Sequence, residues 1–267
     1  MNHQGEFTTH HRDGDQVVKL LDVQHPASAR LLGATLTAGR TVTENYLDTI
    51  AAVGVRLPME LTVISDEPLA VRHRWVFGPG LLNAVESVPE LFVNSVREIG
   101  RWVCDLAATD ARIDTNLANF CVVEGRPVLV DVLPPLIPSL RQQPTNLFEV
   151  LFAALCFDTE IILAALVGYA ARALLRAADP AAARQFVAVG RDLSPPVSGY
   201  PDGPLAEVWF RSRATLALRA LAGELPADPV RSFFVLTSVR AFRELDEQRR
   251  ARRVEQVREA LRGLGVR

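Results

Sequence analysis

The hydrophobic period of this chain changes once, at Gly78-Pro79-Gly80. Before the break, short apolar runs alternate with turn residues. Residues 6–11 and 16–21 read as two strands joined by Asp13-Gly14-Asp15, a hairpin turn signal. Residues 59–64 and 69–76 read as a second pair, joined by Ser65-Asp66-Glu67-Pro68. Residues 26–34 and 43–53 have helical spacing, the second with Tyr46, Leu47, Ile50 and Val53 on one face and Gly54 at its end. After the break the period is helical over 91–107, 146–178, 207–222 and 230–264, the last segment broken once. One β interlude intervenes, 120–123 and 127–130 about a Glu124-Gly125-Arg126 turn. Residues 194–204, with four prolines and two glycines, read as a loop. The expected architecture is α+β and bilobal: a small β-rich lobe over 1–79 and a larger helical lobe over 80–267. A cleft between two such lobes is a natural ligand site.

With 267 residues and 49% hydrophobic composition, such a pair of lobes can bury a core without disulfide staples. Cys104, Cys121 and Cys156 form no CxxC pair, so no zinc site or disulfide framework is expected. The first six residues are polar and read as no signal peptide. The most apolar stretch, 147–175, is interrupted by Glu149, Asp158 and Glu160, so no membrane partner is expected and a cytoplasmic location is.

Of 29 basic residues, 28 are arginine and one is lysine. A bias of that size is what a GC-rich coding sequence produces, and it makes the exception informative. Lys19 sits in the strand-like run Gln16-Val17-Val18-Lys19-Leu20-Leu21, where a compact ammonium does what a planar guanidinium cannot. The alternative is a chance survivor on an edge strand.

The β interlude carries the chemistry. Asp114 and Asn119 lie five apart on the loop leading into the hairpin, and Asp131 ends its second strand. The hairpin brings Asn119 and Asp131 side by side, a hard-oxygen pair suited to Mg²⁺ carrying phosphates. Asp114 is placed to accept a proton from an attacking hydroxyl. The competing reading makes Asp114 an Asx turn, Asn119 the turn before a strand, and Asp131 a cap before Pro134-Pro135.

These residues resemble the protein-kinase-like superfamily, and within it the small-molecule kinases of the aminoglycoside-phosphotransferase type. Arg112-Ile113-Asp114-Thr115-Asn116-Leu117-Ala118-Asn119 is similar to the catalytic loop H-x-D-x-x-x-x-N. Val128-Leu129-Val130-Asp131 is similar to the strand and metal aspartate, and Val17-Val18-Lys19 to the strand lysine. Glu44, ahead of Gly54-Val55-Arg56-Leu57-Pro58, is similar to the helix glutamate, and residues 69–80 to the strand and hinge. The resemblance covers about residues 6–175. It implies transfer of the γ-phosphoryl of ATP or GTP to a hydroxyl. Lys19 would hold the α- and β-phosphates and pair with Glu44. Asn119 and Asp131 would hold Mg²⁺, and Asp114 would orient the acceptor. Trp75 and Val76, at the hinge, would border the base. Glu149, Asp158 and Glu160 would face a cationic acceptor, first of all an aminoglycoside or its biosynthetic intermediate at a 3′-hydroxyl. Two departures stand out. Arg112 replaces the loop histidine, and only 18 residues precede Lys19, too few for a full strand–glycine-rich loop–strand.

Those departures support a competing reading, a pseudokinase-like binding or regulatory protein. A third, a helical regulator that grips nucleic acid through its C-terminal arginines, is opposed by the net charge of −2. From Arg240 onward there are nine arginines against five acids, which reads as a solvated helix or a surface for an anionic partner. His10-His11 lack further ligands at metal spacing. Trp102 and Trp209 read as core. The apolar faces of the last helices suit a monomer's core or a homodimer equally.

Overall fold

The computed structural model describes residues 7–23, 25–177, 179–195 and 202–265. Two hairpins form one antiparallel sheet at the N-terminal end. Strands β1 (Thr8–Asp13) and β2 (Gln16–Leu21) pair so tightly that Asp13 faces Gln16, leaving a two-residue turn of Gly14 and Asp15. Gly14 has φ +59°, a conformation that costs glycine nothing. Strands β3 (Thr62–Asp66) and β4 (Leu69–Arg74) form the second hairpin, and the order across the sheet is β1-β2-β4-β3. The expected turn at Ser65 is shorter than predicted. The strand runs through Asp66, because a bulge at Ile64 resets the register and only Glu67-Pro68 remains as the turn. Glu6, at the start of the first expected strand, lies outside the described residues.

Between the hairpins run α1 (Pro26–Leu31), α2 (Gly33–Leu36) and α3 (Gly39–Ala52). Helix α3 buries Thr43, Tyr46, Leu47 and Ile50 and lies against β3; three of the four residues expected on this face are among them, while Val53 is the half-buried C-cap.

After β4 the chain passes through the irregular segment Trp75–Pro79, bent at Gly78, and enters α4 (Leu81–Ser87) and α5 (Pro89–Leu106), with Pro89 in the first turn. Gly78 is pressed onto the next hairpin, β5 (Phe120–Val123) with β6 (Arg126–Leu129). A Cβ there would lie 2.1 Å from the Val122 carbonyl oxygen, so the crossing admits only glycine. Val122 N–H donates to the Pro79 carbonyl at 2.9 Å and Gly80 bridges to Cys121. From the other side, Leu129 N–H donates to Arg56 O at 2.9 Å. The sheet and helical regions are thus sewn together on both sides of β5–β6.

The remainder is helical: α6 (Leu147–Phe157), α7 (Thr159–Ala177), α8 (Pro180–Leu193), a π-turn at Glu207–Arg211 running into α9 (Ser212–Leu221), then α10 (Ala227–Leu236), α11 (Val239–Arg243) and α12 (Glu247–Gly263). Helix α7 is the axle, contacting α5, α6, α8 and α9. Helices α4 and α8 were not expected, although α8 opens with an Asp179 N-cap and Pro180 at its first position. The last segment breaks twice, before Ser238 and Asp246, each of which accepts a backbone N–H as an N-cap. Ser194 and Pro204 belong to the expected loop, whose residues 196–201 lie outside the described residues. Trp102 and Trp209 are core, Trp209 Nε1–H donating to Thr237 O at 2.7 Å. No single helix among the described residues is long and apolar enough to cross a membrane. The apolar pair α6–α7 is bent by 89° and mostly buried.

Candidate functional site

The β5–β6 hairpin aligns two of the expected residues by backbone alone. Phe120 faces Leu129, and one step further out Val130 N–H donates to Asn119 O at 2.8 Å, so Asn119 and Asp131 leave the same end of the ladder. The loop before it is held by its own side chains. Asp114 Oδ1 accepts Asn116 N–H at 2.9 Å, Asn116 Oδ1 accepts Ala118 N–H at 3.2 Å, and Asn119 Nδ2 reaches Asp114 O at 3.5 Å. The Asx turn at Asp114 is therefore real, and it orients the carboxylate: Asp114 stays exposed and lines the space that Asp131 also lines.

Lys19 comes down from the sheet. Its Nζ donates to Val130 O at 2.5 Å and stands 3.3 Å from Asp131 Oδ1. The ammonium is off the line of a hydrogen bond to Oδ1, and that buried oxygen has no donor. Around Lys19 the cross-strand neighbours are His10 and Val71. His73, opposite Val17, is buried with Nε2 unsatisfied. Burial pushes its imidazole below the ordinary range, and Lys19 and His10 push it further while Asp131 opposes them.

Glu44 does not join Lys19. It sits half-exposed on the outer side of α3, 3.9 Å from Arg40 one turn earlier. The position facing inward is Tyr46, whose hydroxyl donates to Arg112 O at 2.9 Å. Burial, and then the charges of Asp114 and Asp131, push this phenol well above its ordinary range. Two positions apart on a helix are about 200° apart around it, so both cannot face the cleft.

Arg112 is buried and structural. Its guanidinium donates to the carbonyls of Leu106, Ala107, Thr109, Ala111 and Phe157, at 2.7 to 3.2 Å. It caps the C-terminus of α5 and ties it to the end of α6. Its own N–H bonds Leu136 O at 2.8 Å. An imidazole could not serve so many acceptors, so the residue replacing histidine here anchors the loop from behind.

Trp75 and Val76 are at the junction after β4, exposed and half-buried respectively. One face of Trp75 carries the Arg12 guanidinium at 4.2 Å, and Trp75 N–H donates to Asp15 O at 2.5 Å. The Gly14-Asp15 turn thus rests beside Trp75, at the hinge end of the sheet. No glycine-rich loop joins the described strands.

The three carboxylates expected to face an acceptor are spent on arginines. Glu149 is buried against Arg30 and Thr145, and these donors hold its carboxyl down to about 2. Asp158 pairs with Arg141 and Glu160 with Arg211. Each partner is set by packing and not by local spacing: Arg30 is 119, Arg141 17 and Arg211 51 positions from its acid. The C-terminal arginines are partly structural too. Arg250 stacks over Phe148 and donates to Phe242 O and Arg243 O, while Arg253 donates to Leu236 O.

Two spaces open at Asp114. The smaller, about 50 Å³, lies under Tyr46 and Asp131. The larger, about 320 Å³, is lined by Asp114 and Asn116 together with Arg172, Arg213 and Arg240. Sequence reasoning missed those arginines; only Arg172 carried a signal, since it lies within an otherwise apolar helical run. Among the described residues, no three His, Cys, Asp or Glu side chains gather as metal ligands. No protein-family model matches the chain, and no curated protein matches it significantly.

Proposed function

We propose that this chain is a phosphotransferase with a bilobal, protein-kinase-like fold that moves the γ-phosphoryl group of ATP or GTP to a hydroxyl of a small molecule. The observation that carries the reading is the meeting of Lys19 with Asp131, 112 positions apart in sequence, directly beside Asn119 and Asp114. A buried ammonium, a buried carboxylate oxygen without a donor, an amide and an exposed aspartate form a set suited to phosphates.

The donor set fits Mg²⁺, which keeps several waters and needs only one or two protein carboxylates beside phosphate oxygens. Asp131, through its unsatisfied Oδ1, and Asn119 would hold it. Bound there, Mg²⁺ would neutralise charge on the transferring phosphates. Lys19 would turn from Val130 O to the α- and β-phosphates. Asp114 would take the acceptor's proton as its oxygen bonds to phosphorus and the β–γ bridging bond breaks, releasing the nucleoside diphosphate. Tyr46, in the place of an inward glutamate, would hold the loop rather than the lysine. A nucleoside triphosphate supply and Mg²⁺ are consistent with a cytoplasmic setting.

A second reading, a nucleotide-sensing protein without efficient transfer, is favoured by one observation: β1 and β2 are joined by two residues only, so that connection cannot cover phosphates.

The test is thermal unfolding with ATP and with GTP, each with and without Mg²⁺, on the wild type and Asp131→Ala. Saturation at one hundred times the dissociation constant adds about 2.7 kcal/mol. The expected result is a Mg²⁺-dependent shift with one nucleotide, lost in the variant. No shift with either nucleotide would overturn the reading. A shift without phosphoryl transfer to any acceptor would favour the second.

A further inference from the structure

We propose that the 320 Å³ cleft beside Asp114 is an anion site, taking a hydroxyl-bearing small molecule whose carboxylate or phosphate group is held by Arg213, Arg172 and Arg240. That this molecule is the phosphoryl acceptor rests on the phosphotransferase reading; that the cleft binds an anion does not.

Arg213 is the central observation. It is only 4% exposed, yet among the described residues no carboxylate pairs with it, its side-chain partner is the Tyr169 hydroxyl, and its Nε is buried without an acceptor. Three rings surround it: Phe234, Tyr169 and Phe210, with centroids 4.8, 5.2 and 5.9 Å from the guanidinium. Cation–π contact offsets part of the burial, but arginine keeps its charge in proteins, and a buried charge without a counter-ion is costly. Arg172, half-buried and 5.7 Å from Phe234, has no carboxylate partner among the described residues either. Arg172 lies close enough that its charge disfavours that of Arg213, and Arg240, which also acts on Glu244, lines the cleft as an exposed third guanidinium. Elsewhere the arginines of this chain are commonly paired: Arg30, Arg141, Arg191, Arg211 and Arg219 all have acidic partners. Two guanidiniums that share one concavity and meet no carboxylate among the described residues offer paired N–H donors to an anionic group.

The rest of the lining describes the body of the ligand. Phe152 stacks on Phe148, with centroids 5.5 Å apart, and Phe7 approaches Phe152 at 5.8 Å. This aromatic wall suits a flat or apolar ligand of modest size, since about 320 Å³ is at the small end of ligand clefts. Arg forks bind carboxylate and phosphate through paired N–H donors. With its anionic group on the arginines, a ligand's hydroxyl could reach Asp114, which lines the same cleft. A polycationic aminoglycoside would instead meet like charges, and Glu149, Asp158 and Glu160 are already paired.

The test needs neither nucleotide nor Mg²⁺. Titration calorimetry compares 4-hydroxyphenylacetate and phenyl phosphate with 2-(4-hydroxyphenyl)ethanol and tyramine, which keep the ring but are neutral and cationic. The anions should bind at least tenfold more tightly than the alcohol, and tyramine should not bind. Arg240→Gln and Arg172→Gln should each weaken the anions about tenfold without changing the melting temperature. Arg213→Met should abolish anion binding and still fold, because it removes an uncompensated buried charge. Equal binding of anion, alcohol and amine, or no binding of either anion, would overturn the inference. Anion binding in a protein that shows no nucleotide-dependent shift would keep the anion site and remove only the phosphotransferase reading.

Discussion

Replacing Glu149 with glutamine separates a structural carboxylate from an acceptor contact. Glu149 is in the first turn of α6, its side chain 3% exposed. Oε1 accepts Arg30 Nε–H at 2.5 Å, and Oε2 accepts from Arg30 Nη2, from Thr145 N–H at 2.7 Å and from Thr145 Oγ1 at 2.8 Å. The Arg30 bond is the main cause that holds the carboxyl down to about 2 from 4.5, with Thr145 assisting and burial opposing. A depression of that size corresponds to about 3 kcal/mol of folding free energy at neutral pH. Because Arg30 is 42% exposed, solvent screens its charge, and about 2 kcal/mol is the expected net loss in Glu149→Gln. The unfolded chain takes up the proton near 4.5 and the folded chain only near 2. The stabilisation is therefore complete above the unfolded value and fades as pH falls from about 4.5 toward 2. Urea unfolding of both proteins at several pH values between 7 and 3 measures it. The gap should be about 2 kcal/mol at pH 7 and less than half that at pH 3. A gap that does not change with pH, or one below about 0.5 kcal/mol at pH 7, would refute the reasoning. Nucleotide-induced shifts should be the same in both proteins.

Gly78→Ala should cost about 2 kcal/mol, since its Cβ must push β5 or the Trp75–Pro79 segment aside. Gly80→Ala, whose Cβ meets nothing closer than Asn83 Nδ2 at 4.0 Å, should melt like the wild type; equal melting temperatures for all three would refute the close crossing. Tyr46→Phe should lose about 1 kcal/mol, the worth of its bond to Arg112 O, in urea unfolding. In alkali, Tyr46 should stay un-ionised above pH 10 in the folded protein, because burial raises its phenol. Its contribution is therefore full below pH 10 and lost as pH rises beyond; a 295 nm titration in which all tyrosines ionise at the ordinary value would contradict this. Arg112→Lys should destabilise by at least about 3 kcal/mol, because a point ammonium cannot serve the five carbonyls that the guanidinium reaches. A melting temperature unchanged by that substitution would show the loop is held by other means.

Local patterns carried most of the β structure. The Gly14 turn, both hairpins of the sheet and the β5–β6 hairpin follow from turn residues and alternation, which act over a few positions. The proximity of Asn119 and Asp131 was legible for the same reason: a hairpin's register ties its two ends together. Helix α8 was legible as well, through Asp179 and Pro180, but its small residues hid the apolar stripe. For Glu44, the helix's own spacing already placed Tyr46, Leu47 and Ile50 inward. The resemblance of Glu44 to a motif conflicted with that periodicity, and burial of the apolar face prevailed.

By itself, then, the sequence determined the two-part α+β plan, the hairpins, and the single lysine on a strand, because each depends on neighbours within a turn or a pleat. Only the tertiary structure decided the charges. With 28 arginines in the chain, local pattern could not say which would find Glu149, Asp158 or Glu160, or which would be left without a carboxylate. Those partners are up to 119 positions apart, and the packing of α1, α6, α7 and α9 around the cleft brings some guanidiniums to acids and leaves Arg213 among aromatic rings.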